Sequence, residues 1–188
     1  MIKCKTFQTF DPSRVPSPCF VVDEVAVENN LRILQRVEQE SGAKVLLALK
    51  AFSMFSLASL FDRYLSGTCA MGLHEARLGH AEFDGEVHTF CAAYKEAELK
   101  EIVQISDHLV FNSLGQWQRF QPLIEEARLH RPELKFGLRI NPMHSEGTTP
   151  IYDPCAPGSR LGIPKSEFAD QDLQAISGLH FHTLCEPI

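Results

Sequence analysis

The apolar and polar positions of this chain fall into two alternating kinds of block. Short runs rich in aliphatic and β-branched residues read as buried strands, and the segments between them repeat apolar residues at helical spacing. KVLLALK at 44–50 is the first full strand, and CFVVDE at 19–24 precedes it as a shorter one closed by Asp23. Asp23 suits the start of the next helix, because a carboxylate accepts the free amide protons of a first turn. Over 25–40, Val27, Leu31, Leu34 and Val37 share one helical face, and Gly42 stops the helix. A helix at 53–65, a strand TCAM at 68–71, a helix at 73–83, a strand EVHTFC at 86–91, a helix at 97–105 and a strand HLVFN at 108–112 follow. Ser113 then opens a helix with Gln116 three residues on, the capping-box spacing, and Trp117, Phe120, Leu123 and Ile124 share its apolar stripe. KFGLRIN at 135–141 and GLHFHT at 178–183 complete six strands counted from KVLLALK.

Alternation of strand and helix at this interval predicts a parallel α/β sheet, because each parallel crossover needs a connecting helix. No glycine-rich turn follows KVLLALK, which argues against a doubly wound nucleotide-binding sheet. The expected fold is a partial (β/α)8 barrel with about six of the eight strands. Residues 1–24 form its extended N-terminal segment and first short strand, and 25–188 form the incomplete barrel. In such barrels chemistry gathers at the C-terminal ends of the strands, where Lys50, Cys69, Met71, Asn112, Arg139 and His182 fall. A barrel open by two strands exposes two edges and part of its interior. The chain is therefore expected to be a fragment, a truncated product, or a piece whose missing strands come from elsewhere.

Composition narrows the function. The formal charge of −6 and the scattered lysines and arginines give no basic patch for nucleic acid, and suit a cationic small molecule. No apolar run approaches the roughly 20 residues that span a bilayer, and the N-terminus lacks the apolar core of a signal peptide, so a cytoplasmic protein is expected. The six cysteines are scattered without a C-x-x-C pair and read as reduced thiols. His180 and His182 stand two apart on one strand face, but neither C-x-x-C nor H-E-x-x-H accompanies them, so no metal is expected.

Two residues invite chemistry. Lys50 ends an apolar strand, and an ammonium buried there must be paired, deprotonated or used covalently; the alternative is a lysine that has reached water at the strand end. Arg160 lies in PGSRLG, within a long proline-rich segment between the fifth and sixth strands, where flanking glycines let the backbone approach something closely. Otherwise it is a surface arginine in a turn.

Several motifs, in order, resemble the carboxynorspermidine/carboxyspermidine decarboxylases, barrels that use pyridoxal 5′-phosphate (PLP). They are PSPCFVVDE, LLALKAFSMFS around Lys50, HEARLG at 74–79, AAYK at 92–95, FNSLGQW at 111–117, LRINP at 138–142, YDPCAPGSRLG at 152–162 and GLHFHTLCE at 178–186. The resemblance implies a PLP-binding barrel that decarboxylates a polyamine precursor, with no nucleic-acid or membrane partner and a homodimer for the full-length family. Lys50 resembles the lysine that binds PLP as a Schiff base, with burial lowering its pKa. His182 resembles an imidazole stacked on the PLP ring, and Arg160 an arginine near the phenolic oxygen or the substrate side of the ring. Cys185 falls where relatives often carry a serine near the cofactor phosphate. Cys69 stands where related amino-acid decarboxylases carry an acid. The family's glycine-rich phosphate loop, the acidic partner of the pyridine nitrogen, the acids that hold the polyamine and the C-terminal β domain all belong beyond residue 188. A non-catalytic fragment that at most binds a partner subunit, or another PLP barrel enzyme such as a diaminopimelate decarboxylase or an amino-acid racemase, is the alternative.

Overall fold

The computed structural model describes residues 10–147, 149–168 and 173–183. Its centre is a parallel sheet whose strands run β1 (Leu46–Ala48), β2 (Gly67–Ala70), β3 (Glu86–Cys91), β4 (His108–Phe111) and β5 (Lys135–Asn141) in chain order. Beyond β5, two short strands share one edge. β6 (Ile163–Pro164) pairs with Ile140 and Asn141, and β7 (Gly178–His180) pairs with Gly137 to Arg139. The parallel α/β architecture expected from the pattern is therefore present, and it includes β6, a strand that the pattern did not disclose. β6 lies inside the long proline-rich segment and is two residues long, too short to carry a period.

Helices cross between the strands. α1 (Glu24–Ser41) is capped by Asp23, whose Oδ1 accepts from the amides of Val25 and Ala26 at 3.0 and 3.2 Å. Gly42, at φ +73°, closes it. Only Leu31 of its expected stripe is buried; Leu34 and Val37 remain exposed. The segment at 53–65 forms a 3₁₀ turn and a single α turn, α2 (Ala58–Phe61), rather than a long helix, since no side chain caps its start. α3 (Leu73–Glu82) and α4 (Glu96–Ile105) stand where the periodicity placed them. The helix expected after Ser113 is two helices, α5 (Leu114–Arg119) and α6 (Gln121–His130), broken at Phe120. Pro122 explains the break, because its ring collides with the carbonyl four residues back and its nitrogen has no proton to donate.

Residues 19–24 do not form the expected strand: 19–23 carry no regular structure, and Phe20 is 97% exposed. A strand needs a neighbour, and β1 pairs only with β2 among the described residues.

The main core lies between the sheet and α4 to α6. Phe111, fully buried on β4, is its hub, with the rings of Tyr94 and Trp117 each 5.5 Å away and edge-on to it. Leu109, Phe136 and Leu138 fill the same face. The opposite, concave face carries His88, Phe90, His108 and Val110 and lines an open cavity of about 670 Å³. Replacing Phe111 by alanine should cost about 3–5 kcal/mol, read as a lower urea midpoint. A loss below about 1 kcal/mol, that of an average substitution, would show that the hub does not hold the core.

Candidate active site

The C-terminal ends of β1, β2, β5 and β7 form one mouth. Lys50 stands just past β1. The Leu49 amide still donates to the Cys69 carbonyl at 3.1 Å, and the amides of Ala51 and Phe52 then both donate to Ala48 O, which turns the chain. Leu49 is buried, and Lys50, on the other side, is exposed. The expected strand of 44–50 is thus shorter and half-buried, and Lys50 is not the buried amine that its apolar approach implied. Its access comes from the turn, where the backbone spends its hydrogen bonds on Ala48 and leaves the side chain free.

Lys50 nevertheless shares an electrostatic environment with other mouth residues. Partial burial lowers the His182 pKa below the ordinary imidazole value, and the charges of Arg139 and Lys50 lower it further. Burial raises the Cys69 thiol, as does Glu75, while Lys50 pulls it down. Cys69 therefore stays protonated at neutral pH.

Arg139 is the residue the sequence placed at the mouth without a role. It is 5% exposed, its guanidinium lies over the Phe90 ring at 4.9 Å, and it forms no ion pair or side-chain hydrogen bond among the described residues. Burial alone lowers its pKa, against a small opposing pull from Cys155. His180, paired with Arg139 in register, sits edge-on to Phe90 at 4.9 Å and buries an Nδ1 that has no hydrogen-bond partner among the described residues. Burial first, then the charges of Arg139 and His182, push its pKa down to about 4. A buried, unpaired guanidinium beside an orphaned imidazole nitrogen is a site that an anion would relieve. The signal was present in FGLRIN, an apolar strand that ends with an arginine.

Arg160 is exposed and has no ion pair among the described residues. Its backbone is fixed firmly: Asn112 Nδ2 donates to Arg160 O at 2.8 Å, and Asn112 Oδ1 accepts from Gly162 N at 2.9 Å. Gly162, at φ +84°, lies so close to β5 that a Cβ would come within 2.7 Å of Ile140 O. The close approach that the glycines predicted is therefore to a neighbouring strand, which is what lets β6 pair. Cys185 lies outside the described residues.

Other motif residues hold the frame. Glu75 accepts from Met71 N at 2.9 Å, and Gly79 seats α3 on β2, where a Cβ would meet Thr68 Oγ1 at 2.5 Å. The Tyr94 hydroxyl donates to the carbonyls of Thr89 and Val110, and Gln116 ties Asn112 N to Ala92 O.

No family model matches the chain. The carboxynorspermidine/carboxyspermidine decarboxylase of Campylobacter jejuni is 40% identical over 173 residues, 92% of this chain, and that of Herminiimonas arsenicoxydans is 36% identical over 172. The chain is a homologue of the carboxynorspermidine/carboxyspermidine decarboxylases. A carboxyaminopropylagmatine decarboxylase from Synechocystis is also 40% identical, over 174 residues. The chain spans 44–45% of the length of these relatives. The crystal structure of carboxynorspermidine decarboxylase from Campylobacter jejuni, complexed with norspermidine, superposes at a TM-score of 0.79 and 38% identity, covering 92% of this chain and 42% of that one. Diaminopimelate decarboxylase from Helicobacter pylori shares the fold, at a TM-score of 0.69 and 20% identity, covering 94% of this chain and 45% of that one. This likeness to barrel decarboxylases agrees with the expected partial barrel.

The mouth makes stability depend on pH. The folded pKa of His180, about 4 against an ordinary 6.5, means that the unfolded chain binds more protons between those values. Its contribution is present above 6.5 and is lost as the pH falls toward about 4, in the same direction as those of His182 and His108. Urea midpoints should drop across that window, and His180→Asn should flatten the drop. A flat profile in the parent chain would contradict the assignment.

Proposed function

We propose that this chain carries the lysine-bearing part of a PLP-dependent decarboxylase that converts carboxynorspermidine and carboxyspermidine to norspermidine and spermidine, acting in the cytoplasm as a homodimer. What carries the reading is identity of 36–40%, over 92% of the chain, to relatives named for that activity. The formal charge of −6 suits a polycationic substrate.

The residues at the mouth fit the cofactor. An aldehyde needs an accessible primary amine, and Lys50 is exposed at the end of β1. The anionic groups of PLP need cations, and Arg139 is buried with no counter-charge among the described residues, beside a His180 Nδ1 likewise without a partner among them. When bound, PLP supplies an electron sink for the pair left behind as carboxylate departs as carbon dioxide. Lys50 would hold the cofactor through its exposed primary amine, in a place that an incoming amine could also reach. Arg139, and Arg160 as the resemblance implies, would balance anionic oxygen with planar, charged groups. His182, held neutral at pH 7 by partial burial and its cationic neighbours, offers an uncharged ring face for stacking. Cys69, kept protonated, does not compete with Lys50 for the aldehyde.

The Synechocystis relative, named for carboxyaminopropylagmatine at the same 40% identity, favours that compound as a second substrate. Carbon dioxide release should be measured with PLP and each of carboxynorspermidine, carboxyspermidine, carboxyaminopropylagmatine and diaminopimelate. Release from the first two is expected, with a visible absorption band on PLP addition that is lost in Lys50→Ala. Release from diaminopimelate alone would overturn the substrate. An identical band in parent and variant would exclude Lys50. A Lys50-dependent band without release from any compound would mark a chain that binds the cofactor without catalysing, the non-catalytic alternative.

A further inference from the structure

Deeper in the concave face, three side chains of metal-ligating type converge. Glu86 and His88 stand two apart on β3 and so share a face, and His108 stands beside His88 on β4 in parallel register. Their imidazoles lie 3.9 Å apart between centroids and 16° from parallel. Glu86 Oε2 is 2.9 Å from His88 Nε2 and 3.8 Å from His108 Nε2, while Oε1 receives the Lys44 ammonium. The three ligand atoms all lie within 4.8 Å of one another. The cluster lies a layer below the mouth: His88 and His108 are each two residues before Phe90 and Val110 along their strands, and Phe90 carries Arg139 and His180 on its ring.

A hydrogen-bonded ion cluster accounts for part of this arrangement. Glu86 receives the Lys44 ammonium on Oε1 and meets His88 Nε2 at 2.9 Å on Oε2. That leaves His108 over. Its Nε2 faces the same carboxylate oxygen at a separation too long for a hydrogen bond, and it has no other hydrogen-bond partner among the described residues. Its ring is half-buried and borders the cavity, with Nε2 turned toward the carboxylate that His88 shares.

We propose that Glu86, His88 and His108 form a binding site for a divalent transition-metal ion such as zinc or cobalt. Two imidazoles and a carboxylate are a ligand set these ions favour. Zinc bonds of about 2.0–2.2 Å set tetrahedral ligand atoms about 3.4 Å apart. The separations of 2.9 and 3.8 Å each lie about 0.5 Å from that spacing. The rings as they stand are too nearly parallel to share one ion, so binding tilts them toward each other. Their side chains, 27% and 28% exposed, border the cavity of about 670 Å³, which gives them room to turn and supplies water for the remaining coordination positions. Lys44 retains Oε1 and, as a cation beside the ion, holds the affinity down.

The test uses the full chain without a polyhistidine tag, cleared with a chelator and titrated with cobalt chloride. Visible absorption and calorimetry read the binding, and zinc competes for the site. One equivalent is expected to bind, and His88→Asn and His108→Asn should each weaken binding at least about tenfold with an unchanged circular dichroism spectrum. Lys44→Met keeps all three ligands and should tighten binding, which gives a readout even where a histidine variant does not fold. The double variant His180→Asn/His182→Asn should bind like the parent. No binding by the parent, binding indifferent to both His88 and His108, weaker binding in Lys44→Met, or loss in the double variant at the mouth would each overturn the proposal. None of these readouts involves PLP or decarboxylation.

Discussion

A strand side chain in a parallel sheet has only two directions to point, and the register of the ladder decides which residues share each one. Here the register sets Thr89, Leu109 and Phe136 in one row toward the helices and His88, His108 and Lys135 in the next row toward the cavity. Two residues further along, Phe90, Val110 and Gly137 form a second cavity row, and Arg139 with His180 a third. The apolar core, the lower histidine cluster and the mouth are therefore consequences of one pairing scheme. A slip of one residue in any strand would exchange its core and cavity faces.

Within that scheme the mouth is electrostatically one-sided. Arg139, Lys50 and two histidines of lowered pKa meet there, and Arg139 has no carboxylate partner among the described residues. Keeping a guanidinium buried and unpaired is unfavourable unless something else supplies the charge. The cation over Phe90 recovers a little through its ring face. An anionic ligand would recover more.

Much of this was legible in the sequence, for reasons that differ by residue. The strands and most helices were readable because periods of 2 and 3.6 survive in their apolar residues, and Asp23, Gly42 and Ser113 mark helix ends by their chemistry. Pro122 stands in the sequence as the cause of the break at Phe120, yet the continuous stripe from Trp117 to Ile124 reads as one helix. The turn that exposes Lys50 was hidden, because two amides sharing Ala48 O is a decision of the local backbone. β6 was hidden because it exists through the fit of Gly162 against Ile140. Residues 19–23 had the composition of a strand but no neighbour to pair with. The E-x-H spacing at 86–88 is as visible as H-x-H at 180–182, yet His108 joins it only through cross-strand register, which no single segment records.

The central claim is that Lys50, and no other lysine, is the amine that holds PLP. Borohydride reduction of the PLP-treated chain, followed by peptide mass spectrometry, locates the modified residue directly. The account predicts the pyridoxyl label on Lys50 in the peptide that follows β1. A label on another lysine, or none on Lys50 at saturating PLP, would contradict it.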